Sequence, residues 1–246
     1  MRATNWEFKN RAAVFGMILG VSFGFYFLDQ ENGTAAVANW MEARWHVNAD
    51  LVARIMFGGA AVLLMVAALI RTWASAYLHA GVVYAADVKT ESLVADGPYR
   101  LVRNPLYFAN VLMGIALGAM MSRGGFFVAV VAMVVFNYRL IFREESELQG
   151  TQGERYEAYR KAVPRLWPAL WPQIAASGRA AKWGEGFKAE SWYWGMAAAL
   201  VAFAITLKVK LFFVILAASL GLFWVMSGVM ARKERGEVIK SSEVKE

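Results

Sequence analysis

Uncharged apolar runs alternate along this chain with polar stretches that collect Arg, Lys, Asp and Glu. Six runs approach the length of about 20 residues at which a helix crosses a bilayer. They are Ala12–Leu28, Ile55–Ile70 (helical beyond Arg71), Leu106–Met121, Gly124–Phe136, Ser191–Leu207 and Leu211–Ala231. Little more than Ser122 and Arg123 separates the third from the fourth, so these two form a tight helical hairpin. Several runs are short for a perpendicular span; either the helix ends extend them or the hairpin does not cross fully. The pattern predicts an all-α fold: a multi-pass transmembrane helical bundle of about six membrane helices.

Composition agrees. Of 246 residues, 59% are hydrophobic and 18% charged, with a mean hydropathy of +0.39. That exceeds what the core of a soluble domain needs and argues against disorder. The net charge of +7 has a simpler origin than a nucleic-acid partner. With the N-terminus in the cytoplasm, 21 of the 26 Lys and Arg residues fall inside, Arg71 among them. Arg44, Arg54, Arg123, Lys208 and Lys210 fall outside. This bias places both termini in the cytoplasm. A cleaved signal peptide is the rival reading, with Arg2, Lys9 and Arg11 as its basic region and Ala36-Val37-Ala38 as its site. The apolar run is long for that and the site lies well beyond its end.

The absence of cysteine excludes disulfides, thiolate nucleophiles and Fe–S clusters. His46 and His79 have no metal-ligand spacing, so no metal is expected. His46 falls outside by this topology. His79, near Tyr77 and Tyr84, either packs at the interface or approaches the cytoplasmic chemistry. Gly16, Gly20 and Gly24 recur every fourth residue, as do Gly114 and Gly118. Such spacing serves either a dimer face or packing within the chain, and the latter is the expectation. The charged tail Ser241–Glu246 is expected to be disordered.

Polar chemistry collects in two segments on the inside. In the first, Gly97-Pro98 breaks any preceding helix and Pro105 opens the next, where its missing N–H costs nothing. The turn between them carries Tyr99, Arg103 and Asn104, with Tyr107 one helical turn on. The second begins where the fourth run ends. Arg139 and Arg143 share a helix face, followed by the pair Glu144-Glu145 and then Leu148. Charges at a helix exit are often merely solvated. Next, Tyr156 and Tyr159 share a face of a charged stretch that Pro164 ends. This is either an amphipathic helix lying at the interface or a lid over the two segments before it.

In this order the segments resemble the isoprenylcysteine carboxyl methyltransferase and phospholipid methyltransferase family. The residues that carry the resemblance are Gly97-Pro98-Tyr99, Arg103, Pro105 and Tyr107, then Glu144-Glu145, Leu148, Gly153, Tyr156, Tyr159 and Val163-Pro164. Asn104 stands where the family usually has His. It can hydrogen-bond but cannot act as a base near neutral pH. The resemblance divides the chain into an N-terminal membrane helix with a polar loop (1–54), a catalytic core (55–170) and an additional membrane helix pair with its tail (171–246).

The resemblance implies S-adenosylmethionine as methyl donor, held in a cytoplasm-facing pocket without a Gly-rich phosphate cradle. Tyr99, Arg103, Asn104, Pro105 and Tyr107 would line one side, Glu144 and Glu145 the other, with Tyr156 in the lid. It also implies a lipid or lipidated acceptor reached from the bilayer. Methyl transfer from a sulfonium demands proximity, alignment and exclusion of water. A carboxylate acceptor needs a cation to hold it, and Arg139, Arg143 and Arg165 are candidates. An amine acceptor needs a base, and Glu144 or Glu145 is available. Carboxyl O-methylation stands first and phospholipid N-methylation second. A membrane sterol-type reductase using NADPH and an inactive scaffold are the competing readings.

Overall fold

The computed structural model describes residues 1–78 and 94–243, with side chains through Val225. His79 lies outside the described residues. The described residues are predominantly helical, with no strand among them. A five-residue helix α1 (Asn5–Lys9) precedes α2 (Arg11–Gly24), which tightens into a 3₁₀ turn at Phe25–Phe27. Then come α3 (Gly33–Trp45) and α4 (Ala49–Leu78). A 3₁₀ turn, Gly97–Arg100, precedes α5 (Pro105–Gly118) and α6 (Arg123–Ala162). The chain closes with α7 (Trp183–Ala189), α8 (Ser191–Thr206) and α9 (Val209–Glu243).

Among the described residues, two helices, α4 and α6, are long and apolar enough to cross a membrane. Four shorter apolar helices accompany them: 11–27, 105–118, 191–206 and 209–225. Many large apolar side chains face outward, including Phe27, Val62, Leu69, Phe127, Val214 and Trp224. Exposed apolar surface on this scale suits contact with hydrocarbon better than with water.

Local chemistry explains the helix ends. Ser122 Oγ caps α6 by accepting from the Gly125 N–H, 3.1 Å away, which makes the α5–α6 connection as tight as the sequence predicts. Pro105 occupies the first turn of α5. Residues 33–45, expected as polar loop, are helical instead. Asn32 caps that helix through the Ala35 N–H, and His46 ends it in the left-handed region at φ 55°. The segment has no sustained apolar run, so its helix was hidden. The tail also departs from expectation, since α9 continues to Glu243.

The two glycine series behave differently. Gly114 abuts Met133 and Gly118 abuts Phe126, which is packing within the chain. Gly16, Gly20 and Gly24 face open space, contrary to the expectation for that series.

One buried polar cluster ties the helices together. Arg71 of α4 meets Glu190, at the junction of α7 and α8, with Nε 2.5 Å from Oε2 and Nη2 3.1 Å from Oε1. Ser75 Oγ donates to Glu190 Oε1 at 2.7 Å, and Arg71 Nη1 donates to Asn110 Oδ1 at 2.8 Å. Tyr193 Oη donates to the same Asn110 oxygen at 2.6 Å, and the Arg71 guanidinium lies 4.4 Å from the centre of the Tyr193 ring. Both charges are almost wholly buried. Arg71 is therefore a core residue, not one of the loop cations that its place in the charge count assumed. The close approach that makes this possible needs Gly186, whose missing Cβ would collide with the Thr72 carbonyl of α4. The last helices are thereby locked to the core, since a buried cation requires its counter-ion.

Candidate active site

The two polar segments meet at one end of the bundle. Gly97 turns the backbone at φ 56°, and the 3₁₀ turn delivers Tyr99 and then Arg103, Asn104 and α5. The segment after the lid runs back along this turn and fixes it. Arg103 N–H donates to the Pro164 carbonyl, Ala169 N–H to Leu101 and Gln173 N–H to Arg100, each at 2.9 Å. Asp96 accepts from the Ser177 hydroxyl and from the Ser177 N–H, which holds its carboxyl below the usual range.

The apolar part of α6 ends near Phe142, and its polar extension brings the carboxylates to this turn. Glu145 is clamped. Arg103 Nη2 lies 3.0 Å from Oε1, and Arg165 donates through Nε and Nη2 to Oε2 at 3.0 and 2.9 Å. Asn104 Nδ2 donates to the Arg165 carbonyl at 3.0 Å, with a longer contact of 3.4 Å to Glu145. So Asn104 serves here as a hydrogen-bond bridge. Glu144 is less constrained. It accepts from Tyr107 Oη at 2.6 Å and is partly covered. Desolvation raises its carboxyl to about 7, opposed by the Tyr107 hydrogen bond and the Arg11 charge.

Gly153, at φ 52° and ψ −125°, breaks α6 and lets residues 154–162 fold back. Tyr156, Tyr159 and Val163 are buried against Ala95, Leu148 and Ile174. Tyr159 Oη donates to the Tyr99 carbonyl at 2.8 Å. The stretch thus covers the turn, as a lid would. Beneath it, Tyr99 is only 7% exposed and its hydroxyl has no hydrogen-bond partner in the protein. A buried hydroxyl left unpaired is uncommon and marks a place for a ligand group or water.

The expected residues thus divide. Tyr99, Arg103, Asn104, Pro105, Tyr107, Glu144, Glu145, Tyr156 and Arg165 gather at this end. The other two arginines are engaged elsewhere. Arg139 pairs with Glu7 at 2.7 and 3.2 Å, and the Arg143 guanidinium packs over the Phe8 ring and meets Glu147 at 2.9 Å.

Glu147 lies one turn further along α6, whereas Glu7 and Phe8 belong to an N-terminal arm that sequence reasoning passed over. The Ala3 N–H donates to the Arg139 carbonyl at 3.0 Å. Phe8 is buried, and the Arg11 guanidinium also lies over its ring, 4.5 Å from the centre. The arm had a local signal in Thr4-x-x-Glu7, which forms a capping box. Glu7 is held down to about 2, chiefly by its hydrogen bonds from Arg139. Among the described residues, no group of three or more His, Asp or Glu converges as a metal site.

Residues 54–155 match the family model of the phospholipid methyltransferases, a family of the isoprenylcysteine carboxyl methyltransferase type. The cobalt-zinc-cadmium resistance protein CzcN of Cupriavidus metallidurans is 29% identical over 87 residues, which are 35% of this chain and 40% of that protein. The nickel-cobalt-cadmium resistance protein NccN of Alcaligenes xylosoxydans xylosoxydans is 28% identical over 87 residues, 35% of this chain and 41% of that protein. The chain thus spans about two-fifths of the length of these curated relatives. No solved structure matches.

Proposed function

We propose, from the phospholipid methyltransferase match across residues 54–155, that this chain is a multi-pass membrane methyltransferase. It uses S-adenosylmethionine and acts on a lipidic acceptor at the cytoplasmic face. Six membrane helices accommodate the apolar segments, with the core at 55–170 flanked by 1–54 and 171–246. The single observation that carries the reading is the gathering of Tyr99, Tyr107, Glu144 and Glu145 at one end of the bundle, with Tyr99 covered by the Tyr156–Tyr159 lid, inside the matched region and its border.

The residues fit such a donor. Glu144 offers a carboxylate to an ammonium or to ribose hydroxyls, and the unpartnered Tyr99 hydroxyl offers a buried donor to a carboxylate. When bound, the cofactor supplies an electrophilic methyl group with a neutral leaving group. The protein's part is then to orient and to exclude water. Arg103, Arg165 and Asn104 hold Glu145 so that the α5 start and the α6 extension keep a fixed spacing. The lid shields Tyr99 from solvent.

The engagement of the cations favours one acceptor class. Arg139, Arg143 and Arg165 are occupied by Glu7, Glu147 and Glu145, so none is set aside for an acceptor carboxylate. Glu144, with its carboxyl near 7, is suited to take the proton an amine must lose. We therefore place N-methylation of a lipid amine ahead of carboxyl O-methylation. Supplying the purified protein with labelled S-adenosylmethionine and either an aminophospholipid or a prenylated cysteine tests the order. Label in the amine product supports it, and label only in the methyl ester reverses it.

A further inference from the structure

The cluster at Glu145 opens on its outer side into a cleft of about 390 Å³. It is lined by Met1, Arg2, Phe142, Glu145, Ser146, Gln149, Arg160 and Arg165. Three chain segments build it: the N-terminal arm with Arg2, the α6 extension, and the lid with its exit. Its charges do not cancel. Arg2 and Arg160 line it together with Arg165, and Arg103 stands behind on Glu145. The carboxylates that meet these guanidiniums are Glu145, shared by Arg103 and Arg165, and Glu157, paired with Arg160 at 2.9 Å. Four cations against two carboxylates leave an excess of two positive charges. Ser146 and Gln149 add neutral donors. Phe142, with the Arg165 guanidinium 5.0 Å from its ring centre, and Met1 supply apolar surface.

We propose that this cleft binds a phosphate group, and that docking of the N-terminal arm builds the site. Phosphate matches the charge excess. Its tetrahedral oxygens accept from guanidiniums that approach along different directions, as these three segments do. The apolar patch beside the cations leaves room for the stem of an amphiphile, so a lipid headgroup and free phosphate are both sources of the same chemistry. The arm is held by the Glu7–Arg139 pair, the Ala3–Arg139 backbone bond and buried Phe8. Arg2 therefore reaches the cleft only while that latch is closed. The cleft shares Glu145 and Arg165 with the candidate active site but opens on its outer side, and the bound phosphate need not belong to the acceptor.

The test is calorimetric titration of the detergent-purified full chain without methyl donor. The probes are dihexanoylphosphatidic acid, dihexanoylphosphatidylcholine and inorganic phosphate. The anionic lipid binds about tenfold tighter than the zwitterionic one, the scale of losing one charge-assisted contact. Inorganic phosphate binding as tightly as the anionic lipid assigns the site to the free ion; weaker binding assigns it to the headgroup. Replacing both exposed cations, Arg2→Gln with Arg160→Gln, removes the preference while elution and helicity stay native. Glu7→Gln gives the sharpest sign. If net charge alone governed binding, losing a carboxylate would strengthen it. If the arm builds the site, binding weakens by about threefold or more. Equal affinity for both lipids, or a Glu7→Gln protein that binds phosphate as well as wild type or better, overturns the proposal. Absence of methyl-donor binding alongside intact phosphate binding would overturn the methyltransferase reading and leave this one standing.

Discussion

Two polar clusters in this protein use the same residue types to different ends. Around Arg71 and Glu190, the charges sit deep among the helices and face each other; Ser75 donates to Glu190 at 2.7 Å, and Asn110 accepts from Arg71 at 2.8 Å and from Tyr193 at 2.6 Å. Around Glu144 and Glu145, one carboxylate is clamped by two arginines. The other is partly covered, carries a raised pKa and shares its end of the bundle with Tyr99, whose hydroxyl is unpaired. A cluster whose groups are committed to one another can hold a fold but offers nothing to a ligand. A cluster that leaves a carboxylate titrating near neutrality and a buried donor unused retains capacity for chemistry.

The largest expected effect lies in the first cluster. Glu190→Ala leaves the Arg71 cation buried without its counter-ion, a loss of about 3–5 kcal/mol. It is read as a fall in the thermal midpoint or loss of the monodisperse protein. Replacing both charges with apolar residues, Arg71→Met with Glu190→Leu, recovers much of that stability. A benign Glu190→Ala would erase the contrast between the clusters.

In the second cluster the expected losses are in function. Glu144→Gln keeps the fold and lowers amine methylation by about 10²–10⁴-fold, the usual range for a general base. In the wild type, the carboxyl at about 7 must lose its proton to act as base, so kcat/KM rises with pH through about 7. That limb is absent in the variant. Stability has the opposite sign. A carboxyl raised in the folded state binds its proton more tightly there, so its contribution favours the fold at low pH. That contribution declines as pH rises from the unfolded value of 4.5 to about 7.

Tyr99→Phe sharpens the comparison further. Because the hydroxyl has no partner in the protein, its removal changes stability by no more than about 0.5 kcal/mol. Donor binding weakens by up to about tenfold, the scale of one hydrogen bond to a charged group. The smallest effect concerns the arm. Glu7 is depressed from 4.5 to about 2, so the stability it lends to arm docking is full above about 4.5. It fades as pH falls toward 2. Hydrogen exchange at residues 3–11 should accelerate across that window before the helical core opens.

The sequence made the local features readable and hid the long-range ones. Apolar runs located the apolar helices, of which α4 and α6 are long enough to cross a membrane, because uninterrupted apolar stretches are a local signal. Gly97-Pro98, Pro105 and the short Ser122-Arg123 break announced turns and helix starts through backbone geometry, whereas the turn at Gly153 was not read. The Glu144-Glu145 pair and the two lid tyrosines were found as motifs. The Arg71–Glu190 pair joins residues 119 positions apart, and Glu7–Arg139 joins residues 132 apart. No local spacing encodes such partners. An arginine at the end of an apolar helix was a hint that a counter-ion lay elsewhere in the bundle, but nothing near Glu190 named it. Arg139 was mistaken for an available cation because the arm that occupies it lies far upstream, whereas the partner of Arg143, Glu147, stood four residues on and was passed over.

The central claim is that the second cluster holds a methyl donor. Calorimetric titration of S-adenosylmethionine into the detergent-purified full chain measures this directly, with Glu144→Gln and Glu145→Ala beside it. Saturable one-to-one binding in the wild type, weakened by the first substitution and lost with the second, is the predicted result. Absence of binding at millimolar donor, in protein whose helicity and elution show it folded, would contradict the claim.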